Sequence, residues 1–114
     1  MSKIQRIDTP NAPGAVGPYS QAMATDGLVY TSGQLGINPA DKAMPEGVRE
    51  QAALCLSNVK AVLEAAGSGL DKVLKVTVFL TDMTDFAAVN EVYGGFFSQP
   101  YPARSCFAVK ALPL

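Results

Sequence analysis

Six side chains, Val48, Ala52, Cys55, Val59, Val62 and Ala66, recur at steps of four, three, four, three and four. That spacing is the period of one helix face, and it predicts a helix over residues 46–66. Glu46 suits the positive N-terminal end of its dipole, and Gly67 suits its stop. Soon after, residues 73–80 read Val-Leu-Lys-Val-Thr-Val-Phe-Leu, β-branched and apolar. A strand there sends Leu74, Val76, Val78 and Leu80 to one face, expected to be buried, and Val73, Lys75, Thr77 and Phe79 to the other. A one-faced helix followed by a one-faced strand must be stacked if either face is to leave water.

The rest of the chain extends this pattern. Lys3–Ile7 reads as a short strand, Thr9–Gly14 as a loop by its Pro and Gly content, and Tyr19–Ala24 as a second strand. Asp26-Gly27 is a hairpin signal. Leu28–Leu35 follows as a third strand, interrupted by Gly33. A second helix is predicted from about Thr84 to Phe97, with Asp82 or Thr84 as its N-cap. Gly94-Gly95 weakens its last turns. Beyond Pro100 and Pro102, Arg104–Ala111 forms another strand. The expected class is α+β: one domain over residues 1–114, a mixed β-sheet with two helices packed on one face.

Composition narrows the chemistry. With 114 residues, 48% of them hydrophobic, the chain can build one core. Charged residues make up 17%, against roughly 25% in an average soluble chain. Apolar surface shared with further copies of the chain is the expectation that follows. A net charge of −1 and a pI near 5.2 speak against nucleic-acid binding, which usually needs a basic face. There is no histidine, which removes Ser-His-Asp and Cys-His catalysis within one chain and the usual zinc sites. No metal site can be read from the remaining acids, and no cofactor is expected. Cys55 and Cys106 make no disulfide framework. No stretch approaches the roughly 20 apolar residues of a membrane span, and the N-terminus lacks a signal core. The cytosol is the expected location, with a mitochondrial one left open.

Several residues carry both a chemical and a plain structural reading. Arg104 presents a permanently charged planar fork that fits a carboxylate bidentately; alone on a strand it could equally be half of a surface ion pair. Cys106 lies two residues on, on the same side of the strand. It is either a thiolate supported by that charge or a small buried thiol. The Tyr19 hydroxyl could meet substrate or water, or its ring could cover the core edge. Ser32-Gly33 lets backbone approach a ligand, or marks a bulge. Asn90, without helix propensity to favour it, either braces a loop or sits on an exposed face. Cys55 belongs to the apolar helix stripe and is expected in the core.

Five segments, taken together, resemble the RidA family of reactive intermediate deaminases. They are Gly17-Pro18-Tyr19-Ser20-Gln21-Ala22, Thr31-Ser32-Gly33-Gln34, Lys75 to Leu80, Asp85-Phe86 through Asn90-Glu91-Val92-Tyr93, and Pro102-Ala103-Arg104-Ser105-Cys106. They stand in the family's order and near its spacing. The resemblance implies a chorismate-mutase-like fold and a homotrimer with pockets between subunits. It implies that Arg104 holds the substrate carboxylate, that backbone at Cys106 lines the pocket, and that Tyr19, Ser32, Gly33 and Asn90 match further pocket positions. The family's pattern continues into a final strand with a glutamate that orients the attacking water. The residues here stop at Leu114, before it; either the sequence belongs to a longer protein, which is the expectation, or this form lacks that strand.

The activity so implied is hydrolysis of 2-imino acids, such as 2-iminobutanoate and 2-iminopropanoate, to 2-keto acids and ammonia. Arg104 would orient the substrate, and Tyr19 would be the substitute acid–base group. Two rivals belong to other classes. One is a trimeric module that binds small carboxylates without turnover. The other is a ribonuclease or translation inhibitor, which the acidic pI and missing histidines disfavour. A holdase-like role cannot be read from sequence.

Overall fold

The computed structural model describes residues 3–114. Its main elements, in chain order, are β1 (Gln5–Ile7), β2 (Ala22–Thr25), β3 (Leu28–Thr31), α1 (Val48–Ala65), β4 (Lys75–Leu80), α2 (Phe86–Phe96) and β5 (Ala103–Ala108). Short 3-10 turns at Leu70–Lys72 and Met83–Asp85 precede β4 and α2. The class is α+β as expected. Among the described residues the strands pair in two groups: an antiparallel triple β1-β2-β3 and a parallel pair β4-β5.

Local chemistry explains most boundaries. Asp26 and Gly27 close the β2–β3 hairpin with φ of 51° and 78°, the two positive values that a tight hairpin turn requires. The register then pairs Thr25 with Leu28 and Met23 with Tyr30. Helix α1 ends where predicted: the Gly67 N–H donates to the Glu64 carbonyl and the Ser68 N–H to the Leu63 carbonyl, a paired closure of the last turn. It begins at Val48 with Gly47 as N-cap, so Glu46 stands outside it and Glu50 is the acid of its first turn. Asp82 caps the 3-10 turn, accepting from the Thr84 N–H, whereas Asp85 holds the N-cap position of α2. Strands two and three are shorter than the pattern predicted. Tyr19 precedes β2, and Ser32-Gly33 follows β3.

The core sits on both sides of α1. Val62 is fully buried and packs with Ala12 and Ala22, against Ile7, Val29 and Ala61. One turn and a half earlier, Leu56 joins Tyr93 and Phe97 of the α2 segment, with Leu70, Val73, Val76, Val92 and Phe96 around them. The stripe of α1 is therefore wider than the six positions that revealed it. Leu56, Asn58 and Leu63 are buried beside Val62, because two different partners cover the helix.

In β4 the alternation holds from Val76 to Leu80, with Lys75, Thr77 and Phe79 exposed. Leu74 departs from the expected face. It is 75% exposed, since it lies before the first strand pair, Lys75 with Ala103, and no helix covers it.

Cys55 is partly buried, and its desolvation pushes the thiol up to about 11. The group stays protonated in the fold at pH values where an unfolded chain, with a thiol near the ordinary range of about 8.5, has ionised. The unfolded state then binds fewer protons, so stability should decline as pH rises from about 9 towards 11. Denaturant midpoints across that range should fall less steeply in Cys55→Ala; an unchanged slope would show that Cys55 does not contribute.

Candidate active site

Strand β5 places Arg104 beside Val76 and Cys106 beside Val78 in parallel register. Paired residues of neighbouring strands point to the same face, so both face the helices. Helix α2 crosses that face. The Arg104 guanidinium donates to Asn90 Oδ1 at 2.8 Å. Its carbon lies 4.8 Å from the Tyr93 ring centre and 5.4 Å from that of Phe86, both within the range of a cation–π attraction. One hydrogen bond and two aromatic faces thus hold the side chain while further N–H donors of the fork remain for a ligand.

Around it is a cleft of about 320 Å³, lined by Asn90, Tyr93, Gly94, Tyr101, Pro102 and Arg104. Tyr93 is buried, and its hydroxyl has no hydrogen-bond partner among the described residues. Burial raises the Tyr93 pKa above the usual phenol range, while the nearby Arg104 charge opposes that rise. An exposed ion pair between Arg49 of α1 and Glu91 ties the two helices together next to Asn90.

The other expected residues lie elsewhere in the chain's surface. Tyr19 and Gly33 share a smaller cleft of about 50 Å³ with Pro13, Gly14, Val16, Gln34, Leu35, Ile37 and Leu114. The Tyr19 hydroxyl accepts from the Val16 N–H at 3.2 Å. Ser32 Oγ donates to the Ser20 carbonyl at 2.6 Å. The first bond is internal to the loop before β2; the second ties that loop to the segment after β3. Cys106 is half-buried on β5 and lines neither cleft. Within one chain, then, the structure unites Arg104 with Asn90 and Tyr19 with Gly33, but it does not merge the two pairs.

Two buried amides position the smaller cleft, and sequence reasoning did not single them out. Gln21 accepts from the Thr9 N–H and donates to the carbonyls of Thr9, Ala12 and Pro13. Asn58, inside α1, donates to the carbonyls of Leu35 and Ile37. Between those carbonyls Gly36 comes so close to α1 that a Cβ would stand 2.7 Å from Gln51 backbone, so only glycine fits. A polar residue amid the apolar stripe was the available signal for Asn58. Tyr93, Tyr101 and Phe86 are further residues about Arg104 without an individual expectation.

The domain thus presents an aromatic-backed arginine in a cleft lined otherwise by uncharged residues, a setting whose chemistry suits a carboxylate. Residues 9–114 match the family described as Endoribonuclease L-PSP. A 2-iminobutanoate/2-iminopropanoate deaminase of Capra hircus is 47% identical over 99% of this chain and 85% of its own length. The crystal structure of RidA from the Antarctic bacterium Psychrobacter sp. PAMC 21119 superposes with a TM-score of 0.93 at 50% identity, covering 96% of this chain and 89% of the other. That of E. coli TdcF with bound serine gives 0.92 at 46% identity, covering 96% and 88%. The chain belongs to the RidA family, the reactive intermediate deaminases. No helix is long and apolar enough to cross a membrane, and no cluster of metal-binding side chains occurs, both among the described residues.

Proposed function

We propose that this chain hydrolyses 2-imino acids to 2-keto acids and ammonia, with Arg104 as the carboxylate anchor. The observation that carries the reading is the Arg104 guanidinium itself, braced by Asn90 and two aromatic rings in a cleft without an opposing carboxylate. The related deaminase supports the reaction class. TdcF with bound serine supports the ligand class, since serine and a 2-imino acid share a carboxylate beside a nitrogen-bearing carbon.

The reaction is water addition followed by loss of ammonia. A water oxygen bonds to the iminium carbon, the C=N π pair moves to nitrogen, and the water gives up a proton. A proton transfer to nitrogen makes ammonia the leaving group; the C–N bond breaks as the remaining hydroxyl loses its proton and becomes the keto oxygen. Clamping the carboxylate fixes the reacting carbon relative to that water. No metal or organic cofactor is needed for these steps.

We further propose a homotrimer whose pockets lie between subunits. Its support is the sheet face turned away from the helices. On the β4–β5 pair, Phe79 and Phe107 are 52% and 53% exposed and stack at 6.3 Å. Such an apolar patch favours a partner surface. Association would let the Tyr19–Gly33 cleft of one copy complete the Arg104 cleft of the next, giving Tyr19, Ser32 and Gly33 a share in the pocket.

A second reading, a carboxylate-binding module without turnover, is favoured by one fact: among the described residues no Asp or Glu lines either cleft. Ammonia release from freshly generated 2-iminobutanoate separates the two. Deamination above the spontaneous rate is the expected result; binding of 2-oxobutanoate without it would leave only the module. Sedimentation at micromolar concentration should show a trimer, and a monomer would defeat the intersubunit pocket. The acidic pI of about 5.2 and the absence of histidine still disfavour ribonuclease activity.

A further inference from the structure

The Tyr93 hydroxyl stands out as a cost without a visible return. It is shut off from solvent and hydrogen-bonded to nothing among the described residues, although nearly all buried polar groups in folded proteins are paired. Phenylalanine would fill the same space in the cluster of Leu56 and Phe97 without that penalty. Tyr93 also lines the Arg104 cleft, and the guanidinium lies over its ring at 4.8 Å. The orphan group therefore belongs to a side chain that touches Arg104, the cation lining that cleft among the described residues.

We propose that the Tyr93 hydroxyl is a second ligand anchor, which meets the substituent at the 2-position of the acid whose carboxylate Arg104 holds. This rests on the reading of the cleft given above. A carboxylate taken by the remaining N–H donors of the fork, with Arg104 still bonded to Asn90, would lie against the Tyr93 ring that lines the same cleft. A hydroxyl suits the 2-position chemically, because it both donates and accepts. It accepts from the N–H of a protonated imine and donates to the keto oxygen of the product. A group limited to one role would fit only one end of the reaction. The raised phenol pKa keeps the proton in place at neutral pH, so both roles stay available.

The test compares 2-oxobutanoate with butanoate, which lacks the 2-oxo group, by calorimetry on the unmodified protein, Tyr93→Phe and Arg104→Ala. The unmodified protein should bind 2-oxobutanoate about tenfold more tightly, the scale of one hydrogen bond lost. Tyr93→Phe should lose that preference, keep its affinity for butanoate, and unfold at a urea concentration no lower than the unmodified protein. Its KM for 2-iminobutanoate should rise. Arg104→Ala should weaken both acids. A preference that survives in folded Tyr93→Phe, or that is missing from the unmodified protein while Arg104→Ala still weakens binding, overturns the role of Tyr93 alone. Unchanged binding of both acids in Arg104→Ala overturns the underlying reading instead.

Discussion

Arg104→Ala should reduce affinity for 2-oxobutanoate by on the order of tenfold or more, and slow ammonia release from 2-iminobutanoate at least as much. The estimate follows from losing charge-assisted hydrogen bonds worth about 1.5–3 kcal/mol in all. Arg104→Lys should recover only part of the loss. An ammonium keeps the charge but lacks the planar fork whose carbon lies 4.8 Å and 5.4 Å from the Tyr93 and Phe86 ring centres. The substitution also strips Asn90 Oδ1 of its donor, so a folding control is needed: far-UV circular dichroism and the urea midpoint should change little, because Arg104 is only half-buried. Calorimetry and an ammonia assay provide the measurements. Binding unchanged in a folded Arg104→Ala protein would place the carboxylate elsewhere.

The largest effect on stability should come from Gln21. Its side-chain amide is 2% exposed and closes the loop from Thr9 to Pro13 with four hydrogen bonds. Gln21→Ala leaves the Thr9 N–H and three carbonyls without that partner in a site largely closed to water. An unsatisfied buried group costs about 1–3 kcal/mol, and some of these groups will regain water as the loop loosens. A net loss of about 3 kcal/mol is expected. With a slope of about 1–3 kcal/mol per molar in urea, the midpoint should fall by roughly 1–3 M. Gln21→Glu should recover little, since a carboxylate can accept from Thr9 but faces the carbonyl oxygens of Thr9, Ala12 and Pro13. A loss under about 1 kcal/mol would mean that the loop is held by its prolines and by Ala12 packing rather than by the amide.

Much of the architecture is legible in the sequence. The six-residue stripe located α1, the Asp26-Gly27 pair located its turn, and Gly67 located a helix end; each depends on neighbours within four residues. The element order led to an α+β class because one-faced elements have few ways to stack. The motif around Arg104 marked the residue that the structure then set in a cleft. Asn90, read as bracing a loop or lying on an exposed face, instead accepts from Arg104 of β5. Boundaries were less legible. Tyr19 and Ser32-Gly33 carry strand-like sequence, yet ladder pairing begins at Ala22 and stops at Thr31, and that limit belongs to the pairing of two strands.

What this sequence determined by itself is therefore periodic and local: the faces of its helices, its turns, the absence of histidine chemistry, and the run of residues that carries the family pattern. Tertiary structure alone decided which distant groups meet. It joined Arg104 to Asn90 across 14 positions, and it set Gln21 and Asn58 against backbone up to 12 and 23 positions away. It left Leu74 in water and sealed in the Tyr93 hydroxyl. The physical reason is that periodicity records only which side of an element is apolar. Which element covers that side, and which polar groups are trapped beneath it, depends on packing between segments that no local spacing encodes.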